Sequence, residues 1–384
     1  MNTGSSTLKS ALYDAGDGER LLASIAVDQV GVSGARLKIA DGRGTVVADS
    51  PVDSLKPDAA LDAMFEWLGS HEYLNGLAGA GHRIVHGGPR YKEPHRITPG
   101  FVSEMEQLVP LDPDHMPAAI RGIQFIARKI PALPQVACFD TAFHSSLPKV
   151  ARMYALPRRL YEDGIQRYGF HGLSYEYILQ ELRKMDATLA AGRVVIAHLG
   201  SGASIVALKQ GKSVDTSMGF TPLEGLVMGT RCGDVDPGVL MYLIAQEKIS
   251  ATQISKLVNK ESGLLGISTT TADMRQLLER AGEDGRAADA VDLFCYRVKK
   301  YVGAYAAVLG GLDAVVFTGG IGERAAAIRE KICDGLEFLG IRLDSARNAE
   351  NAPVISSAEC RVNVRVIATN EDLMIVRHVV DLLD

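Results

Sequence analysis

The sequence predicts an α/β protein of two domains, on three observations. Short apolar runs that look like buried strands alternate with segments of helical periodicity along the whole chain. At 384 residues the chain is longer than one hydrophobic core ordinarily organises. A strand, a turn rich in Gly and Ser, and a second strand occur near residue 4 and again near residue 201, which suggests two related halves, each presenting a phosphate-facing turn.

The elements follow in order. Residues 20–50 hold short strand-like runs broken by Gly and Asp, among them Ala35-Arg36-Leu37-Lys38-Ile39-Ala40. Leu61, Met64, Phe65 and Leu68 share one face of a helix over about 57–69. Arg83-Ile84-Val85-His86 reads as a buried strand stopped by Gly87-Gly88-Pro89. Ile120, Ile123, Phe125 and Ile126 mark a helix over 115–129, and Val136-Ala137-Cys138-Phe139 a second buried strand ending at Asp140. In the second half, Val194-Val195-Ile196-Ala197 and Ser204-Ile205-Val206-Ala207-Leu208 flank the turn Gly200-Ser201-Gly202. Val291, Cys295, Val298, Val302, Tyr305 and Leu309 step by three or four through a helix over 286–309, which Gly310-Gly311 terminates. Ala314-Val315-Val316-Phe317 leads into Gly319-Gly320, Val364-Arg365-Val366-Ile367 is the last strand, and 372–383 closes as a helix.

Composition removes several classes of function. Apolar residues make up 47% and charged residues 23%, as in soluble globular chains. A net charge of -5 leaves no nucleic-acid footprint, and no apolar run is long enough to span a bilayer. The N-terminus lacks the profile of a signal peptide. Five scattered cysteines without a C-x-x-C pair point to a reduced, cytoplasmic protein with no structural zinc.

Three glycine-rich turns carry the chemistry: Asn2-Thr3-Gly4-Ser5-Ser6-Thr7, His198-Leu199-Gly200-Ser201-Gly202-Ala203-Ser204 and Phe317-Thr318-Gly319-Gly320-Ile321-Gly322-Glu323. Such turns let backbone N–H groups reach phosphate oxygens. Taken singly, each is more often an ordinary β-turn; together with the acidic segment Ile367-Ala368-Thr369-Asn370-Glu371-Asp372 they suggest a nucleotide and metal site between two lobes. There is no G-x-x-x-x-G-K-[ST], and Gly319 to Gly322 lacks the dinucleotide spacing. Arg83 and Arg231 sit among glycines and apolar residues, where a guanidinium needs an anionic partner. For Arg231 that partner is either Asp234 or Asp236, in a structural ion pair, or a transferring phosphoryl group. Asp140, at a strand's C-terminal end, is either a helix cap or a carboxylate aimed into the site. His171 lies in the bend Tyr168-Gly169-Phe170-His171-Gly172, and Cys232 reads as a small packing residue.

With these residues in hand, the chain resembles the acetate/propionate kinase family of the actin-like, sugar-kinase-like ATPase superfamily. The likeness runs from about residue 2 to 380. It rests on Asn-x-Gly-Ser-Ser-Thr, His-Arg-Ile-Val-His-Gly-Gly, Phe-Asp-Thr-Ala-Phe-His, Arg-Tyr-Gly-Phe-His-Gly, Met-Gly-Thr-Arg-Cys-Gly-Asp and Ala-Thr-Asn-Glu-Asp, which together are highly specific. The resemblance implies two duplicated ribonuclease-H-like domains with an active-site cleft between them, and a homodimer. It implies an acyl-side domain of residues 1–143 plus 373–384 and a nucleotide-binding domain of residues 144–372. It places Asn2 and Glu371 at a magnesium site (manganese can substitute), Arg83 on the acyl substrate, Asp140 as the acid/base carboxylate, and His171 and Arg231 on the transition state. His115 matches an active-site histidine. Val85, Phe170 and Pro222 match the pocket for the acyl methyl group. Nucleotide contacts fall to Ser5, Thr7 and Lys9, to His198, Leu199, Gly200, Ser201 and Gly202, to Asp273, Met274 and Arg275, and to Gly320, Ile321, Gly322, Glu323 and Arg324.

The chain departs from the family in three places. Only Met1 precedes Asn2 where the family has an apolar strand, so a central strand is missing or the true start lies upstream. Pro110-Leu111-Asp112-Pro113-Asp114-His115-Met116-Pro117 carries two extra residues and two carboxylates beside the acyl pocket. Ser201 and Arg324 stand where the family has asparagine. The expected reaction is reversible, ATP-dependent phosphorylation of acetate by direct in-line transfer. Asp140 positions the site by holding an arginine or a metal-bound water, since an ionised carboxylate substrate needs no strong base. The alternatives are a propionate or butyrate kinase, or an actin-fold nucleotide-binding module without catalysis.

Overall fold

A computed structural model describes residues 1–3, 7–16, 19–28, 34–53 and 58–383. The chain divides into two compact units. Unit 1 is Met1–Phe143 with Asn370–Asp384, and unit 2 is His144–Thr369. The division falls at Thr369/Asn370, three residues before the segment 373–384 that the sequence assigned to the first domain. The reason is local: Asn370 bonds Tyr13 and, through its side chain, the N–H of Leu373, at the head of the helix Glu371–Leu383.

Unit 1 opens with an antiparallel sheet of β1 (Asn2–Thr3), β2 (Thr7–Asp14), β3 (Arg20–Asp28), β4 (Arg36–Asp41) and β5 (Val46–Pro51). Its register sets Asn2 opposite Lys9 and Thr3 opposite Leu8. A three-stranded sheet follows, in which β8 (Gln135–Phe139) lies between β6 (Ala80–Ile84), parallel to it, and β7 (His95–Arg96), antiparallel to it. Met1 joins the two sheets: its amino group donates to the Gly81 carbonyl at 2.6 Å, and the Arg83 N–H donates to the Met1 carbonyl at 2.9 Å.

The strand around Arg83 differs from the sequence expectation. It begins at Ala80 and ends at Ile84, so Arg83 is near its end and Val85 and His86 lie beyond it. A side chain at Gly81 would put Cβ 2.2 Å from Ile375 Cγ2 of the helix Glu371–Leu383. The glycines here mark close helix packing rather than a strand boundary, which is why periodicity alone started the strand too late. One apolar cluster joins Leu8, Ile25, Val27, Leu37 and Ile39 to Leu61, Met64, Phe65 and Leu68 of the helix Ala59–Ser70. A second holds Ile84, Phe101, Met105, Met116, Ile123 and Phe139.

In unit 2, β9 (Arg193–Leu199) is flanked by β10 (Ala203–Lys209), antiparallel, and β12 (Ala314–Thr318), parallel. The sheet ends at β11 (Lys212–Thr216) beyond β10 and at β13 (Asn363–Val366) beyond β12. Val194, Val195, Ile196 and Ala197 are fully buried, as the continuous apolar run requires of a strand covered on both faces. The helix Gly285–Leu309 packs on β9 and β10. Asp284 caps its start by accepting from the Arg286 N–H. Gly310, at φ 72°, and the bond from the Gly311 N–H to the Ala306 carbonyl end it.

Candidate active site

In unit 1, Arg83 near the end of β6 meets Asp140, the residue after β8, because parallel pairing brings the two strand ends side by side. Arg83 Nε donates to Asp140 Oδ1 at 2.9 Å, and Nη2 donates to Oδ2 at 2.6 Å. This bidentate geometry fixes the plane of the guanidinium and leaves Nη1 to meet a further carboxylate. Asp140 is buried and its backbone N–H bonds the Ile84 carbonyl, so both ends of the pair are anchored in the sheet. Of the two readings of Asp140, the structure shows the carboxylate holding an arginine. Glu371, first residue of its helix, has Oε2 4.0 Å from Arg83 Nε. Burial disfavours the Arg83 cation, but Asp140 and Glu371 outweigh it and the guanidinium stays charged. Burial, opposed by Arg83 and reinforced by Asp140 and Asp372, raises the pKa of Glu371.

Among the described residues no three His, Cys, Asp or Glu side chains form a metal cluster. Magnesium does not need one: it keeps several waters and takes one or two protein carboxylates along with substrate phosphates. A buried carboxylate whose ionisation is disfavoured, as at Glu371, is a group that a hard cation would relieve. The oxygens of the Glu371 carboxylate are donors of the kind that magnesium takes.

The other expected residues of unit 1 divide. Thr7 opens β2, and Lys9 is exposed, opposite Asn2 across β1 and β2. Ser5 lies outside the described residues. Val85 is half-buried just past β6. His115 precedes the helix Met116–Lys129, and its Nδ1 is 2.8 Å from Oδ1 of the buried Asp112, so one carboxylate of the two-residue insertion is spent on that histidine.

In unit 2, six side chains and one glycine converge. His171, in the left-handed region at φ 59°, starts the helix Gly172–Met185. Its Nδ1 is 2.8 Å from Ser204 Oγ, and its ring stacks on His198 with centroids 4.4 Å apart. His198 Nδ1 is 2.8 Å from Ser174 Oγ, which also reaches Thr369 Oγ1 at 2.8 Å. Arg231 Nη1 donates to the Pro222 carbonyl at 2.6 Å. A Cβ on Gly202 would lie 2.7 Å from Arg231 Nη2 and 3.4 Å from His171 Nε2, so the second glycine turn runs directly against both side chains. The candidate ion-pair partners of Arg231 have other work. Asp234 accepts from the Gly225 N–H and the Tyr301 hydroxyl, and Asp236 caps the helix Pro237–Gln246.

The third glycine segment is held by Glu323. Its Oε1 accepts from the N–H groups of Gly319 and Thr369, at 2.9 and 3.1 Å, tying the start of the helix Gly319–Arg324 to the segment after β13. Gly320, Ile321 and Gly322 form the body of this helix, and Arg324 is exposed at its end. Asp273 caps the helix Met274–Arg280 by accepting from the N–H groups of Arg275 and Gln276. Phe170 is buried and Pro222 half-buried in unit 2, whereas Val85 belongs to unit 1. The sequence reading missed Ser174, Ser204 and Arg329. Arg329 is fully buried and donates to the Gly322 carbonyl at 2.9 Å and to Asn348 Oδ1 at 2.8 Å, bracing the third glycine segment from beneath. Its signal was an arginine on the apolar side of Ala326-Ala327-Ile328-Arg329-Glu330-Lys331-Ile332.

The family model described as the Acetokinase family matches residues 1–377. The chain belongs to that family. It is 44% identical to the acetate kinase of Methylocella silvestris, covering 100% of this chain and 97% of the relative. Its fold matches the crystal structure of Porphyromonas gingivalis acetate kinase with a TM-score of 0.92 at 39% identity, covering 100% of this chain and 98% of the other. A propionate kinase from Francisella tularensis matches with a TM-score of 0.94 at 37% identity, covering 99% and 98%. Family members thus carry both names over the same full-length fold.

Proposed function

We propose that the chain transfers the γ-phosphoryl group of ATP to acetate, reversibly, giving ADP and acetyl phosphate. The observation that carries this is the Arg83 guanidinium, locked by Asp140 with Glu371 beside it, in a chain of the acetokinase family. A carboxylate oxygen of acetate attacks the γ-phosphorus as the bond from that phosphorus to the ADP oxygen breaks. Arg83 binds and aims the acetate, which is already ionised near neutral pH. Asp140 sets the angle of Arg83 and removes no proton. Arg231 and His171 stabilise charge on the equatorial oxygens of a loose transition state. Ser204 fixes the His171 ring, leaving Nε2 to face the phosphoryl group. The turns at His198 to Gly202 and Gly320 to Arg324, with Asp273 to Arg275, hold the nucleotide, aided by Thr7 and Lys9. Glu371 and Asn2 would hold magnesium, which when bound supplies charge neutralisation on the phosphates.

The helix Pro237–Gln246 supports the homodimer. None of its residues is buried, and Val239, Met241, Tyr242 and Ile244 are between 41% and 63% exposed, an apolar surface that a second copy would cover. No helix among the described residues is long and apolar enough to cross a membrane, and the scattered cysteines fit a reducing cytoplasm.

The test is acyl phosphate formation, trapped with hydroxylamine, from ATP and magnesium with acetate, propionate or butyrate. Highest turnover per KM with acetate supports the reading. Highest with propionate or butyrate would move the substrate along the series, and silence with all three despite ATP binding would refute the kinase.

A further inference from the structure

Arg231 lies in a stretch, residues 217–236, that forms neither helix nor strand, so no regular backbone ladder fixes it. Its Nη1 is bonded to another point of the same stretch, the Pro222 carbonyl, at 2.6 Å. The placement of Arg231 therefore depends on what holds Pro222.

Pro222 is anchored on both sides. Ahead of it, the Phe220 N–H donates to the Tyr154 hydroxyl at 2.8 Å. After it, the Glu224 carboxylate is divided between two donors: Oε1 accepts from Arg167 Nη2 at 2.6 Å, and Oε2 accepts from the Tyr154 hydroxyl at 2.5 Å. Tyr154 thus takes a bond from the loop backbone and gives one to the loop's own carboxylate. Arg167 turns Nη1 to three successive carbonyls, those of Thr216, Ser217 and Met218, at 3.1, 3.2 and 3.1 Å. These three residues are buried as the chain leaves β11, where carbonyls need donors, and a guanidinium supplies several from one rigid plane. Burial disfavours the Arg167 cation, but the Glu224 carboxylate beside it outweighs that and the cation persists. Gly219 lets the network close, because a Cβ there would run into Glu224 Oε2 and the Tyr154 hydroxyl.

Arg167 also opens the run that ends at His171. In that run the N–H groups of Tyr168 and Gly169 both donate to the Gly219 carbonyl, at 2.9 and 3.3 Å. Gly169, at φ 76°, leaves no room for a side chain against Thr216. The run into His171 and the loop that receives Arg231 are therefore tied side by side.

We propose that Arg167, Glu224 and Tyr154 are positioning residues for phosphoryl transfer: they hold the Pro222 carbonyl, and through it the Arg231 guanidinium, at a fixed spacing from His171. They act through Arg231 rather than on the substrate. A charged donor contributes fully only when it is already aimed as the transition state forms, so loosening the tie lowers turnover more than it weakens nucleotide binding. The kinetic consequence rests on the proposed function; the tie itself does not.

The experiment is a double-mutant cycle of Glu224→Gln and Arg231→Ala in the full chain. Hydroxylamine-trapped acetyl phosphate, KM for ATP, Tm and amide hydrogen exchange are read on each variant. Glu224→Gln keeps the size of the side chain and removes the charge that Arg167 and Tyr154 share. It is expected to lower kcat by about 10- to 100-fold with KM for ATP within about twofold of the parent. Exchange at Tyr168, Gly169 and Phe220 is expected to quicken by at least about tenfold. Added to Arg231→Ala, it is expected to cost less than about threefold more, because the group it positions is already gone. Losses that multiply, or parental kcat in Glu224→Gln, overturn the proposal, since a residue that served only the fold would lower activity equally in both backgrounds. Should Glu224→Gln melt more than about 5 °C early, Tyr154→Phe, which removes one hydroxyl, carries the same cycle under the same criteria. A parent chain that makes no acyl phosphate counts against the proposed reaction. Quickened exchange at those three N–H groups in Glu224→Gln then still supports the tie, and unchanged exchange overturns it.

Discussion

Arg231 Nη1 bonds the Pro222 carbonyl, and its Nη2 lies 2.7 Å from where a Cβ on Gly202 would stand. Arg231→Ala is expected to lower turnover by roughly 10²–10³, the loss that follows removal of one electrostatic donor. An unchanged melting temperature in the same variant would show that the fold does not need it. Two buried histidines should make stability depend on pH in the acid range. Burial lowers the pKa of His82 to about 3, and that of His144 to about 4, against 6.5 for the exposed ring. The unfolded chain therefore binds more protons than the folded one between those values, so their contribution is complete above about pH 6.5 and is lost as pH falls towards 4. Melting temperature should fall over that window, and His82→Gln should flatten the fall whatever it does to stability at pH 7. A slope unchanged by the substitution would remove His82 from the account. At this scale the sequence was partly legible. Asp140 could be singled out at a strand end, but its bond to Arg83 depends on parallel pairing across 57 positions. The supporting hydroxyls of Ser174 and Ser204 carry no mark that distinguishes them from any buried serine.

Elements place these side chains, and glycine decides how closely they approach. Gly202→Ala puts Cβ 2.7 Å from the tip of Arg231, a flexible group that can swing aside. The expected result is a large loss of turnover with little change in Tm. Gly319→Ala differs, because φ is 76° and the added Cβ meets the Leu199 backbone at 2.7 Å, which cannot yield. That variant should lose stability by about 1–3 kcal/mol, read as a lower urea midpoint. If Gly202→Ala melts earlier and Gly319→Ala does not, the assignment of the two turns is reversed. Helices were the most legible elements, since the periodic stripe of 286–309 and the Gly310 stop are both strong local signals. The strand at Ala80 was misread at its start because the glycines that admit the C-terminal helix look, in sequence, like a loop.

At the scale of the molecule the chain is two α/β units, with a five-stranded and a three-stranded sheet in the first and a five-stranded sheet in the second, and Asn370–Asp384 returns to unit 1. The exposed apolar helix Pro237–Gln246 predicts association. Met241→Asp should shift a dimer to a monomer by light scattering, and a wild-type chain that is monomeric at micromolar concentration would contradict it. The fold class and the family motifs could be read from sequence because each motif is local. The central claim is that Arg83, held by Asp140, binds and aims the acyl substrate. It is tested most directly by acetyl phosphate turnover of Arg83→Ala beside its melting curve. A loss of roughly 10²–10³ in kcat/KM for acetate, with KM for ATP and the fold unchanged, is the predicted result. Near wild-type turnover with acetate would contradict the account.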